Sequence, residues 1–415
     1  MDFVSFDLPL KAAGNDAAVL GHSERGKEWL EKVLKKLFTQ RTYKMRIKLR
    51  VEHVLLHLIY LYQVNAYIKE QKSIQVIDPN LGPINRNYAI FYPEKIAKSP
   101  GLILYFHGQN EFYLDKADET NYKNYVDDLN FILIYPAGMS DNYEQEAPDK
   151  FASWNIGDTR NTCTSTPTNL DWCYDSCKIL NDCHECSWHT CYDDVTFIKN
   201  LVKFIKFEDE KFKDIDFDLK KFIVTGESNG GMMTYFLSGK MDFDDFDMKP
   251  SHFIPIYGNS PVNIPIKTDG MSNLLSLYDR FDHMVPMNGG ESSDTYLWQS
   301  EQDMINYWIQ NSQCKIDTKT GMEPFSTPWG TDDRNLSCQT YKSCDPKNGQ
   351  NFISSCHYDG DHGDKPEFYV EECLWWVYNF TAAEVANNSA SIIIQLEIRI
   401  LAFLTLLTPL GFVIL

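Results

Sequence analysis

Residues 222–231 read F-I-V-T-G-E-S-N-G-G. An apolar, β-branched run ends in a serine set between two glycines, and the helix-like M-M-T-Y-F-L follows. Strand, tight turn, helix is the setting that a G-x-S-x-G turn requires. Side chains flanking so sharp a turn would clash, which accounts for Gly226 and Gly230. The strain lifts the Ser228 hydroxyl clear of the sheet. The helix N-terminus behind it offers backbone N–H groups to an anion. Ser228 is therefore the candidate nucleophile.

Outward from this turn, short apolar runs alternate with helical patterns. Residues 87–93, 101–108, 131–138, 220–225, 251–258 and 273–279 read as strands, several nearly continuous in Ile, Leu, Tyr and Phe. Strands covered on both faces of a parallel sheet have that composition. Residues 193–205 read as a helix with Val195, Ile198, Leu201, Val202 and Ile205 on its apolar face, capped by Asp193 or Asp194. Residues 313–350, rich in Pro, Gly, Asp and Cys, are expected to be mostly loop. Residues 355–360 read as a last strand and 368–380 as a closing helix. The alternation predicts one doubly wound α/β domain with a mostly parallel sheet.

The partners of a serine nucleophile follow in the order Ser, acid, His. Asp282 stands just past a strand end in L-Y-D-R-F-D-H-M-V-P, and His362 in the loop D-G-D-H-G-D. Asp279 competes with Asp282, but its plainer reading is a strand-end turn residue. His357 falls inside a predicted strand, where packing or surface exposure suits it better than catalysis. H-G-Q-N at 107–110 follows a buried strand, and such a His-Gly commonly opens an oxyanion loop. Gly108 lets the backbone turn so that the N–H of Gln109 faces developing negative charge. The N–H of Asn229, directly after the nucleophile, would be the second donor.

The chain has 415 residues, 43% of them hydrophobic, enough for a sizeable core. Its formal net charge of -19 speaks against a nucleic-acid partner, which would need a basic surface. Of 11 cysteines, six (Cys163, Cys173, Cys177, Cys183, Cys186 and Cys191) cluster in one stretch and five more lie between Cys314 and Cys373. Tight clusters in a large chain indicate local disulfides and an oxidising compartment. The first six are expected to bond among themselves. The odd total leaves at least one thiol free or paired between chains. Zinc is the rival reading of D-C-H-E-C-S-W-H-T-C at 182–191, but no second ligand pair stands at finger-like spacing. Residues 139–191 are polar and too long for an ordinary connection, so they are read as a Cys-rich lid insertion.

F-H-G-Q, Y-P-A-G, S-W-N-I-G, C-Y-D-D-V-T-F-I, G-E-S-N-G-G-M-M-T and D-H-M-V-P-M-N-G-G, in this order between Asn87 and Phe380, resemble the esterase/polyhydroxybutyrate-depolymerase family of α/β-hydrolases. That family includes feruloyl and acetylxylan esterases. The resemblance implies an α/β-hydrolase fold and a serine carboxylic-ester hydrolase with the triad Ser228, Asp282 and His362. It would need no metal or organic cofactor, and its substrate would be a feruloyl, acetyl or hydroxyalkanoate ester, polysaccharide- or polyester-linked. The chain departs from the family pattern before the acidic member, in the histidine loop and in the size of the insertion. Those departures bear on substrate more than on the triad. Trp154 and the aromatics of the insertion suit stacking on an aromatic acid or sugar, although packing is the plainer role. Two other readings are a non-catalytic Cys-rich surface protein on a hydrolase fold, and a serine peptidase of the same fold. A missing triad member would favour the first, and none is missing. The second normally carries a gating domain for which the chain has no room.

Both ends read as address segments. Residues 45–66 pair a basic start with a short apolar stretch and a small residue, the order of a secretory signal, which makes 1–44 an extension before a start at Met45. An uncleaved anchor and a soluble helix are the alternatives. Asn335, Asn379 and Asn387 head glycosylation sequons. Residues 387–415 follow the plan of a glycosylphosphatidylinositol signal: small residues at Asn388, Ser389 and Ala390, a spacer, and an apolar tail. A plain hydrophobic tail is the alternative. The expected organisation is thus 1–44 extension, 45–66 signal, 67–386 catalytic domain and 387–415 anchor signal. That places the chain outside the cell or on its surface.

Overall fold

The computed structural model describes residues 67–140, 152–164, 173–240, 248–264, 268, 270, 272–314, 337–341, 344, 351–364 and 369–378. They belong to one compact unit, Ala66–Leu415. The calls on 1–44, 45–66, 387–415 and on Asn335, Asn379, Asn387 and Asn388 lie outside the described residues. No described helix is long and apolar enough to cross a membrane.

The first strands are β1 (Tyr67–Asp78), β2 (Gly82–Pro93), β3 (Gly101–Phe106) and β4 (Phe131–Pro136). Then come β5 (Phe222–Glu227), β6 (His252–Ile256) and β7 (Asn273–Asp279). After a two-residue ladder, β8 (Gly290–Glu291) with β9 (Leu297–Trp298), the chain adds β10 (Ser337–Tyr341) and β11 (Ile353–Tyr358). One nine-stranded sheet runs in the order β1-β2-β4-β3-β5-β6-β7-β11-β10. From β4 to β11 neighbouring strands are parallel. β1, β2 and β10 join antiparallel at the edges. This is the strand order and direction of the α/β-hydrolase fold.

The helices are α1 (Tyr113–Glu119), α2 (Asp175–Ile179), α3 (Asp194–Phe207), α4 (Asn229–Ser238), α5 (Glu301–Asn311) and α6 (Tyr369–Tyr378). Alternate residues of the buried strands feed two cores. Leu102, Leu104 and Phe106 of β3 join the core under α3, α4 and α5. Ile103 and Tyr105 join the core under α1 and α6. Both faces of the central strands are therefore dry, which is why those strands read as unbroken apolar runs.

Most strand expectations agree to within a few residues. The differences have physical causes. β1 was not expected, because its solvent-facing residues are polar and it lies at an edge. Residues 313–350 are not all loop: β10 forms there by pairing with β11, and the Cys338–Cys356 disulfide ties the two strands. Asp193 rather than Asp194 caps α3, accepting the Thr196 N–H at 2.9 Å. Asp194 is buried and pairs with Arg86 at 2.6 Å.

Candidate active site

The strand order turns back on itself around β3. β4 lies on one side of it and β5 on the other. The carboxyl ends of β3 and β5 are therefore neighbours, and a crevice at such a switch point is where open α/β sheets bind ligands. H-G-Q-N leaves β3 there, and G-E-S-N-G leaves β5.

Ser228 sits between β5 and α4 with φ 52° and ψ -121°. A side chain rarely adopts that conformation, and strain of this kind concentrates at functional sites. A Cβ on Gly226 would lie 2.7 Å from the Phe106 carbonyl oxygen, and one on Gly230 would lie 2.6 Å from that of His107. Glycine at both positions is what lets the elbow press against the loop after β3.

Ser228 Oγ is 2.9 Å from His362 Nε2. His362 Nδ1 is 2.7 Å from Asp282 Oδ2. A carboxylate only accepts, so the imidazole donates from Nδ1 and presents an acceptor Nε2 to the serine hydroxyl. Asp282 Oδ1 accepts the N–H groups of Met284 and Val285 at 2.9 and 2.8 Å, which holds the carboxylate in place. The Tyr257 ring lies edge-on to the imidazole, with centroids 5.1 Å apart. Burial by itself would lower the His362 pKa, but the hydrogen bond and charge of Asp282 outweigh it, and the net shift is upward.

The loop after β3 is braced from three sides. His107 is buried, and its burial holds its pKa down at about 4, so the ring is neutral. Its Nδ1 donates to the Gly108 carbonyl at 2.7 Å and its Nε2 accepts the Gly138 N–H at 2.9 Å. Trp154 Nε1 donates to the His107 carbonyl at 2.9 Å. The Asn229 side chain accepts the Trp154 N–H at 2.7 Å, and its amide donates to the Trp154 carbonyl at 3.2 Å. Trp154 is wholly buried against Phe106 and His107, so it is not a stacking platform for substrate. The Gln109 side chain donates to the Trp188 carbonyl at 2.7 Å, which ties the loop to the Cys-rich insertion.

Within that insertion the six cysteines pair as Cys163–Cys186, Cys173–Cys183 and Cys177–Cys191. Their sulfurs are consumed as disulfides, which removes the thiolates that the zinc reading needed. In the second cluster Cys314 pairs with Cys344 and Cys338 with Cys356. Cys373 is buried and outside these bridges.

The structure separates the competing residues. Asp279 ends β7 fully buried, beside the Tyr358 hydroxyl. Burial pushes its carboxyl up to about 7. His357 lies in β11 with its Nε2 2.9 Å from Glu301 Oε2, away from the serine. One feature of the site escaped the sequence reading. Asp-His occurs twice, at 282–283 and 361–362, and the two dipeptides pair crosswise. His283 Nδ1 is 2.7 Å from Asp361 Oδ1, beside the Asp282–His362 pair. Asp361 Oδ1 also accepts the His362 N–H at 2.7 Å. The repeated dipeptide was the available signal.

The strand order is that of the α/β-hydrolase fold, and Ser228, His362 and Asp282 stand in the geometry of a Ser–His–Asp triad. No family model and no curated protein matches the chain. Among solved structures, an acetyl xylan esterase from Aspergillus awamori is 14% identical, with 74% of this chain and 98% of that one covered at a TM-score of 0.46. An S-formylglutathione hydrolase from Staphylococcus aureus is 10% identical, covering 75% and 99% at 0.37. A ferulic acid esterase from the anaerobic fungus Anaeromyces mucronatus is 11% identical, covering 59% and 80% at 0.34. The fold assignment rests on strand order and connectivity rather than on these likenesses.

Proposed function

We propose that this chain is a serine carboxylic-ester hydrolase of the extracellular space, acting on feruloyl, acetyl or hydroxyalkanoate esters of polysaccharides or polyesters. The observation that carries the reading is the contact of Ser228 Oγ with His362 Nε2, 2.9 Å, on a backbone at φ 52°. Ser228 Oγ attacks the ester carbonyl as His362 Nε2 takes its proton, and Asp282 holds the imidazole at Nδ1. The N–H groups of Gln109 and Asn229 receive the tetrahedral oxyanion. The intermediate collapses to an acyl-serine as His362 returns the proton to the departing alcohol. Water, activated by His362, then releases the acid and restores Ser228. Five disulfides support an oxidising compartment.

The test is a panel of aryl, acetyl-xylan, feruloyl and hydroxybutyryl esters on the oxidised protein, with fluorophosphonate labelling. One equivalent of label on Ser228 and hydrolysis of at least one ester class are expected. Ser228→Ala should lose at least about 1,000-fold in kcat while keeping its melting temperature. A protein that neither labels nor hydrolyses any ester would be the non-catalytic surface protein.

A further inference from the structure

Lys116 is a buried lysine in α1, and three carboxylates surround it. Its Nζ lies 2.8 Å from Glu111 Oε1, 2.5 Å from Glu227 Oε1 and 3.0 Å from Glu119 Oε2. Lys116 and Glu227 thus form a buried ion pair. Glu227 is itself buried and immediately precedes Ser228. Its other oxygen accepts the Tyr257 hydroxyl at 2.5 Å, and the Tyr257 ring packs on His362. Glu111 faces the other way. Its Oε2 accepts the Gly108 N–H at 2.6 Å.

These contacts form one bridge: Gly108, Glu111, Lys116, Glu227. It starts at the loop after β3 and ends at the residue before the nucleophile. The approach is close. A Cβ on Gly108 would stand 3.0 Å from Glu111 Oε2 and 3.4 Å from the Ser228 Cβ. Lys116 also pairs within α1, with Glu119 one turn on, but Glu111 caps no helix and Glu227 supports β5 through its backbone. Burying an ammonium among carboxylates is costly unless close pairing and hydrogen bonds repay the lost hydration. Here the bridge fixes the peptide at Gly108 relative to Ser228, and the next N–H along the chain is that of Gln109.

We propose that Glu111, seated on Lys116, is a positioning residue that holds the oxyanion loop at its working distance from Ser228. The proposal rests on the ester-hydrolase reading and concerns the same site. Glu111 makes no contact with the acyl group in this scheme; it acts through Gly108. Shifting a single oxyanion donor lowers turnover and leaves ground-state binding largely alone.

Wild type, Glu111→Ala, Glu111→Gln and Glu111→Asp would be compared for kcat and KM on an aryl ester, for the rate and stoichiometry of fluorophosphonate labelling, and for melting temperature. Glu111→Ala is expected to lose about 10- to 100-fold in kcat with KM changed less than about twofold. Labelling should slow in parallel while its end point stays at one per chain. Glu111→Gln keeps one acceptor oxygen for the Gly108 N–H but turns its amide NH2 toward the Lys116 ammonium, so it should recover only part of the loss. Glu111→Asp keeps the charge but falls one methylene short of Gly108, so it should behave like the alanine variant. It also provides the comparison if Glu111→Ala does not fold. An active wild type with an unimpaired Glu111→Ala overturns this proposal alone. A wild type that neither labels nor hydrolyses overturns it together with the function it rests on.

Discussion

Two carboxyls three residues apart, Asp279 and Asp282, show how environment divides roles between like side chains. Asp282 lies in a turn that supplies two backbone N–H groups to one oxygen and His362 to the other. Asp279 is buried at a strand end beside Tyr358, Asp282, His362 and Asp364, and its carboxyl is raised to about 7 by burial first and by the neighbouring Asp282 charge. Its folded-state carboxyl keeps a proton that the unfolded chain releases near pH 4, so stability falls as pH rises from about 4 to about 7. Asp279→Asn removes that loss. Denaturant melts should show it gaining on wild type by about 2 to 3 kcal/mol between pH 5 and pH 8, with turnover kept. Asp282→Asn should instead cripple turnover. The raised pKa of His362, which must be neutral to act as a base, places the acid limb of kcat/KM above about pH 6.5. A limb below pH 6 in the pH–rate profile would mean that another group limits the reaction.

At the scale of elements, the insertion is a stapled unit tied to the loop after β3. Its three disulfides close loops of 23, 10 and 14 residues in sequence separation. Each contributes about 2–4 kcal/mol on a loop-closure argument. Non-reducing peptide mapping should recover Cys163–Cys186, Cys173–Cys183 and Cys177–Cys191, and no other pairing among these six. Gln109 reaches the Trp188 carbonyl between these staples. Reduction should therefore lower activity before the sheet melts, measurable as loss of turnover at a temperature where far-ultraviolet circular dichroism is unchanged.

Across the whole molecule, the edge hairpin is locked to the body by a buried charge pair. Arg86 of β2 reaches Asp194 at the start of α3 at 2.6 Å, with side chains 3% and 0% exposed. Its guanidinium also lies 3.9 Å from the Phe197 ring centroid and donates to the Ala137 carbonyl. Arg86→Met leaves Asp194 buried and unpaired, at a cost of about 3–5 kcal/mol. The double variant Arg86→Met/Asp194→Leu should be less destabilised than Arg86→Met alone, because no lone charge remains. Thermal or denaturant unfolding of the three proteins tests the order.

The turn that carries Ser228 was legible in ten contiguous residues because strand propensity, the two glycines and the helix start are all local properties. Chain order then pointed to Asp282 and His362, and apolar runs exposed the central strands because both their faces are dry. The remainder depended on approach through space. β10 exists because β11 and a disulfide hold it, against its own Gly-, Pro- and Asp-rich surroundings. Which sulfur meets which, and that His283 crosses to Asp361, follow from loops brought together by the sheet. The seating of Lys116 between Glu111 and Glu227 joins residues more than 100 positions apart. A sequence lists such charges as ordinary helix and loop residues. Only packing, by removing water from around them, decides which carboxylates one ammonium must satisfy.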